Sequence, residues 1–237
     1  MSERADELWT CHLGVVEYRE ALALQEALRA RRQRDEIADT LLCLEHPPVY
    51  TLGRRTGEGE LPMGREWYLA QGIDVVEVDR GGGVTYHGPG QLVAYPIVRT
   101  GDVVGLVRAM ERAMIAALAD EGVEATAPAG LTGVWAGERK IGSIGLHVQR
   151  GVTTHGFAVN VENDLQPFEW VVACGGDGVR TTSLIRETGR GAGALRCFRR
   201  RAAFRMAEAL GARQRLVSLR RLGLTAGAPR APVAAGA

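Results

Sequence analysis

Apolar and polar positions along the chain alternate between the strand and helix periods in a recognisable order. Leu8 to Val16 reads as an opening strand, and Tyr18 to Arg34 as an amphipathic helix with Leu22, Leu24, Ala27 and Leu28 inward and arginines outward. Thr40 to Leu44 is strand-like, His46-Pro47-Pro48 breaks it, and Tyr50 to Gly53 leads into a polar loop ending near Met63. A short helix is predicted over Arg65 to Gln71, then a strand over Ile73 to Asp79, a glycine-rich loop over Arg80 to Gly90 and a strand over Leu92 to Val98. Val103 to Glu121 has helical spacing and stops at Gly122. Gly133 to Val161 reads as a meander of three strands, turning at Ala136 to Glu138 and Gln149 to Gly151. Helical pattern returns at Cys197 to Leu210, followed by a last strand at Arg215 to Leu219. Early alternation of helix and strand, then hairpins, predicts an α+β class: a mixed, largely antiparallel sheet with packed helices. One catalytic domain is expected over residues 1–222, with a disordered tail over 223–237.

Composition narrows the function more than the fold. The 29 basic and 28 acidic side chains leave a formal net charge of +1, which gives no global attraction to nucleic acid or to an anionic membrane, and neither is expected as a partner. No apolar run is long enough for a transmembrane helix, and the charged start Ser2 to Glu7 is unlike a secretory or transit segment, so a cytoplasmic location is expected. The cysteines at 11, 43, 174 and 197 form no CxxC pair, which argues against a zinc knuckle or a disulfide framework. Of the basic residues, 28 are arginine and one, Lys140, is lysine. Lysine can lose its proton when buried and arginine effectively cannot. Alone, the count fits a retained function and chance equally.

Three segments carry candidate chemistry. RGGGVTYHGPG, Arg80 to Gly90, packs five glycines into eleven residues between strands, so its N–H groups can approach a carbonyl or phosphate oxygen, with Arg80 and His87 adding polar groups. It has neither the dinucleotide spacing nor the Lys and Ser/Thr of a P-loop. Lys140 opens the strand ERKIGSIGLHV just after a turn, with room left by Gly142, Ser143 and Gly145; a lysine in that place is more often a solvated charge. Cys174 ends an apolar run and is followed by Gly175, Gly176, Asp177 and Gly178, which suits an accessible thiol with N–H donors beside it. Cys11, Cys43 and Cys197 read as small buried hydrophobes. Among the histidines, His46, His87, His147 and His155 include no pair at i, i+3 or i, i+4, so no metal site and no cofactor is expected; His87 is the functional candidate and His147 the structural one.

These motifs in this order, HPPVYTLG (46–53), RGGGVTYHGPGQL (80–92), GERKIGSIGLHV with THGFAVNV (137–161) and ACGGDGVRTTSL (173–184), resemble the lipoyl(octanoyl) transferases of the lipoate-protein ligase B type. The resemblance implies a fold like the biotin and lipoate protein ligase catalytic domain. It further implies an acyl thioester on Cys174, a thiol pKa lowered by Lys140, and octanoyl transfer from octanoyl-acyl carrier protein. The acceptors it implies are lipoyl domains of 2-oxoacid dehydrogenase E2 subunits and the glycine cleavage H protein. The substrate contacts it implies are Arg80, Gly81, Gly82, Gly83, Val84, Thr85, Tyr86 and His87, then Ser143, Ile144 and Gly145, then Gly156, Phe157 and Ala158. Ile144, Leu146 and Phe157 are expected to wall an apolar acyl pocket. Rival readings are an ATP-dependent lipoate or biotin ligase, a thioesterase or amidase on the same cysteine, and a carrier-protein binding module. The last draws on ten arginines between Arg190 and Arg221 against one acid, Glu208, a pattern that a solvated helix face also explains.

Overall fold

A computed structural model describes residues 7–172 and 179–224. Seven strands form the main sheet in the order β10-β1-β2-β6-β9-β8-β7, and three form a small sheet in the order β4-β3-β5. The strands are β1 (Glu7–Val15), β2 (Asp39–Glu45), β3 (Val49–Leu52), β4 (Asp74–Glu77), β5 (Val84–His87), β6 (Gln91–Ile97), β7 (Val134–Ala136), β8 (Arg139–Gln149), β9 (Val152–Asn160) and β10 (Arg213–Leu216). The helices are α1 (Tyr18–Gln33), α2 (Arg65–Ala70), α3 (Val103–Ala119), α4 (Leu184–Thr188) and α5 (Ala194–Ala209), with a 3₁₀ turn at Gln166–Trp170. In the main sheet the pairings β10–β1 and β1–β2 are parallel, and those from β2 through β6, β9, β8 and β7 are antiparallel. The class is therefore the mixed, largely antiparallel α+β expected from the sequence.

The main sheet is apolar on both faces, which is why β2 and β6 read as near-continuous apolar runs rather than clean alternations. One face packs on α3 and α5 through residues such as Met110, Met114, Phe198 and Met206. The other packs on α1 through Leu24, Leu28, Leu42, Val93 and Tyr95. The small sheet has its own aromatic core, in which Tyr50 packs edge-on against Tyr68 and tilted against Tyr86. Asp102 caps α3 by accepting from the Gly105 N–H at 2.8 Å, supplying one of the partners a helix N-terminus lacks.

Several elements differ from the sequence reading. The glycine-rich stretch is not all loop: Val84–His87 pairs antiparallel with β3, because its alternation of inward Val84 and Tyr86 is enough to seat a strand between glycines. The final strand lies two residues earlier than expected, and α5 begins at Ala194, three residues early, where Glu162 accepts from the Gly193 and Ala194 N–H groups and so serves as a cap remote in sequence. Cys197 is exposed rather than buried; Cys11 and Cys43 are buried, and desolvation pushes their thiols up to about 11 and about 12. Leu222, the last residue of the expected domain, is buried; in the expected tail the Leu224 N–H donates to the Leu219 carbonyl, and residues 225–237 lie outside the described part.

Candidate active site

Where the middle of the main sheet meets the small sheet, a cavity of about 770 Å³, its mouth included, opens between β8, β9, β6 and the glycine-rich segment. Its floor strands are in register: Ser143 faces Ala158, which in turn faces Val93. Glycines let the layers close on one another here. A Cβ on Gly145 would stand 3.0 Å from the Gly81 carbonyl oxygen, and one on Gly53 would stand 2.3 Å from that of Gly82. The segment is pinned to β3 by Arg80, whose buried guanidinium donates to the Thr51 carbonyl and hydroxyl, each at 2.7 Å. The Gly81 N–H donates to Leu146 O at 2.9 Å, tying the same segment to β8.

Lys140 enters the cavity from the β7–β8 hairpin. Its backbone N–H donates to Arg180 O at 2.8 Å and its carbonyl accepts from the Thr182 N–H at 2.9 Å, so the returning chain runs alongside it. The ammonium lies 5.8 Å from the centroid of the Trp135 ring. Val179 and Thr181 line the cavity beside it. Cys174 lies outside the described residues.

Every other candidate except Gly81 and Tyr86 lines this cavity: Arg80, Gly82, Gly83, Val84, Thr85 and His87 from one side, and Ser143, Ile144, Gly145, Gly156, Phe157 and Ala158 from the sheet. Tyr86 turns inward, packing edge-on against Phe168 in the small-sheet core, because strand alternation sends it away from its neighbours Thr85 and His87. Leu146, expected as a wall, packs into the core against α3 and α5 instead. His87 is oriented by a chain of amides. Its Nδ1–H donates to Gln91 Oε1 at 2.7 Å, Gln91 Nε2 donates to Asn160 Oδ1 at 2.9 Å, and Asn160 Nδ2 donates to Thr182 O at 3.1 Å. Burial, with the charge of His46 next, lowers the His87 pKa to about 3, so its ring is neutral at neutral pH.

Sequence reasoning missed the polar aromatic end of the cavity. Tyr18, Tyr95 and His155 line it, although they come from α1, β6 and β9 and share no sequence motif. His46 fixes Tyr95: His46 Nδ1–H donates to Val16 O at 2.7 Å, which leaves Nε2 to accept from the Tyr95 hydroxyl at 2.7 Å. His155 holds the left-handed value φ 57°, its N–H donates to Gln25 Oε1 at 2.7 Å, and its Nε2–H donates to Asp79 at 2.9 Å, while Tyr18 OH meets Nδ1 at 3.4 Å. Burial lowers the pKa of His155 to about 4 against the opposing pull of Asp79, and burial likewise lowers His46 to about 4. His147 also meets Asp79, at 3.2 Å, and does not line the cavity. The one available signal for this cluster was the composition of THGFAVNV, a histidine and a glycine interrupting a buried strand.

Of the ten arginines between Arg190 and Arg221, five are ion-paired with carboxylates among the described residues. Arg190 and Arg201 meet Glu121, Arg205 meets Asp120 and Glu208, and Arg213 and Arg215 meet Glu7. Among the described residues no helix is long and apolar enough to cross a membrane.

The family model described as the lipoyl protein ligase A/B catalytic domain matches residues 17–196, a span that contains the whole cavity lining. An octanoyltransferase of Acidothermus cellulolyticus is 50% identical over 187 residues, covering 76% of this chain and 81% of the relative. One of Desulfotalea psychrophila is 47% identical, covering 75% and 82%. Among solved structures, a lipoate-protein ligase A bound with ATP superposes with a TM-score of 0.75 at 19% identity, covering 90% of this chain and 89% of that one. A bipartite lipoate protein ligase of Thermoplasma acidophilum gives 0.68 at 19%, covering 90% and 86%. At such identities the structures speak to the fold, and the sequence relatives speak to the family. This chain belongs to the lipoyl protein ligase A/B catalytic-domain family.

Proposed function

We propose that this chain is an octanoyltransferase of protein lipoylation, acting through a thioester on Cys174 with Lys140 as its proton partner. The observation that carries the reading is the cavity itself: apolar strand walls, a glycine-rich flank and one lysine at its edge, in a chain about half identical to octanoyltransferases over most of its length. The donor is octanoyl-acyl carrier protein, and the acceptors are lipoyl domains, those of 2-oxoacid dehydrogenase E2 subunits and the glycine cleavage H protein in particular.

A thiol of ordinary pKa, about 8.5, is mostly protonated at neutral pH, and the thiolate is the nucleophile. An ammonium about 4 Å from the sulfur, at an effective dielectric near 20, favours the thiolate by roughly 4 kcal/mol before desolvation takes part of it back. The thiolate attacks the donor thioester carbonyl, a new C–S bond forms, and the carrier thiolate departs with the proton of Lys140. In the second half the acceptor lysine amine attacks the acyl-enzyme, the C–S bond to Cys174 breaks, and neutral Lys140 takes the proton the amine loses. Both halves balance without ATP, since thioester is exchanged for thioester and then for the more stable amide. Arginine in place of Lys140 keeps the charge and cannot accept the proton.

Intact-protein mass after mixing the chain with octanoyl-acyl carrier protein, without ATP, tests this. A hydroxylamine-labile octanoyl adduct is expected on the wild type and not on Cys174→Ser. Lys140→Arg, which can neither give nor take the proton, should form the adduct much more slowly and discharge what forms to a lipoyl domain roughly 10²- to 10⁴-fold more slowly, the usual contribution of a positioned acid–base group. Adduct formation that persists without Cys174, or that requires ATP, would count against the acyl-enzyme and for an ATP-dependent ligase.

A further inference from the structure

Resting on the octanoyltransferase reading, we infer that Tyr18, Tyr95 and His155 form a fixed polar floor that sets the longest acyl chain this enzyme accepts. The register of the sheet gives the cavity a direction. Lys140 and Asn160 stand at one end, Ser143, Ala158 and Val93 at the middle, and Gly145 and Gly156 further along. Ala94 is paired with Phe157, so Tyr95 stands level with Gly156, and His155 is the next residue of β9. From Lys140 to Gly145 is five residues of one strand, about 17 Å at ~3.4 Å per residue. An extended octanoyl chain, seven C–C bonds of about 1.5 Å set in zigzag, spans roughly 9 Å. A chain that starts beside Lys140 and runs along β8 therefore points at the Tyr95 level.

Along the sheet this path is lined by Val93, Ser143, Gly145, Gly156 and Ala158, across from it stand Arg80, Thr85 and His87, and at its end it meets the rings of Tyr18, Tyr95 and His155. Tyr18, Tyr95 and His155 are all nearly inaccessible; His46 holds the Tyr95 hydroxyl and Asp79 the His155 ring from outside the cavity, Gln25 holds the His155 backbone, and Tyr18 meets His155 within the floor. Further methylenes would have to displace hydrogen-bonded side chains from a buried network, leaving polar atoms unsatisfied without a matching apolar gain. A soft aliphatic end would yield to a longer chain by rotamer changes; here the Tyr95 and His155 side chains are fixed from behind.

Competition labelling by acyl-carrier donors bearing hexanoyl, octanoyl, decanoyl, dodecanoyl and tetradecanoyl chains, read by intact mass, tests the floor. The wild type should lose labelling roughly tenfold or more for each pair of carbons beyond decanoyl. Tyr18→Ala should raise the dodecanoyl-to-octanoyl ratio about tenfold or more, while Tyr18→Phe, which keeps the ring, should stay within about threefold of wild type. His155→Gly provides a second opening of the floor that suits the left-handed backbone at that position, so the test survives if Tyr18→Ala does not fold. Folded Tyr18→Ala and His155→Gly proteins that keep the wild-type chain-length profile would overturn the floor and leave the octanoyltransferase reading standing. A wild type that accepts no acyl chain from any donor would overturn both.

Discussion

At the scale of single residues, the unusual feature is how much neutral histidine is buried beside the cavity. His46 and His155 have pKa values lowered to about 4 and His87 to about 3, in each case by burial first, with neighbouring histidine or arginine charge adding to it at His87 and His155. An unfolded histidine titrates near 6.5. Each folded pKa is therefore below its unfolded value, the unfolded chain binds the extra protons, and stability is fully present above about pH 6.5 and lost as pH falls toward 4. Between pH 7 and 5.5 the three together should cost on the order of 3 kcal/mol, about 1 kcal/mol each. Urea unfolding at pH 7.5, 6.5 and 5.5 checks this, and a midpoint that does not move in that window would show the histidines titrating normally in the folded state. The motif histidine His87 could be singled out from its loop; the partnership of His46 with Tyr95, 49 residues apart in sequence, could not, because nothing local to either residue records it.

At the scale of elements, local patterning was enough wherever a segment makes its own structure. The β8–β9 hairpin, α1 and α3 lie close to where periodicity and turn residues put them. What local pattern left out was pairing between distant segments: the parallel neighbours β1, β2 and β10, the separation of β3, β4 and β5 into their own sheet, and the remote cap of α5 by Glu162. The glycines divide the same way. Gly53 and Gly142 look alike in sequence, yet a Cβ on Gly53 would meet the Gly82 carbonyl oxygen at 2.3 Å, whereas one on Gly142 would first meet the Met114 sulfur at 2.9 Å. Backbone cannot move without dislodging the glycine-rich segment, while a methionine can change rotamer. Gly53→Ala should therefore cost several kcal/mol, at the upper end of single substitutions, or deform the cavity wall, and Gly142→Ala about 1 kcal/mol or less. Thermal melts of the two variants, with acyl labelling as the cavity readout, separate them; equal losses would contradict the distinction between rigid and yielding neighbours.

At the scale of the whole molecule, half of the C-terminal arginines serve cohesion. Sequence alone shows ten arginines and one acid over residues 190–221, and it cannot show that carboxylates for five of them come from Glu7, Asp120 and Glu121, far away in the chain. Those contacts hold α5 to the end of α3 and β10 to β1, closing the sheet edge and the helical layer behind the cavity. Glu121 is the central case: its side chain is 8% exposed and receives both Arg190 and Arg201, the latter at 2.6 Å. The two arginines are themselves 52% and 37% exposed, so on losing Glu121 they can turn to water, which limits the cost of Glu121→Ala to about 1–2 kcal/mol rather than the larger penalty of a buried orphan charge. None of these residues lines the cavity, so the acyl-labelling rate of the folded variant should equal that of the wild type. A double-mutant cycle with Arg201→Ala, followed by urea unfolding, should return a coupling of roughly 0.5–1 kcal/mol that shrinks with added salt. A coupling of zero together with slower acylation would move these arginines out of the framework and into partner binding, the role their density in the sequence first suggested.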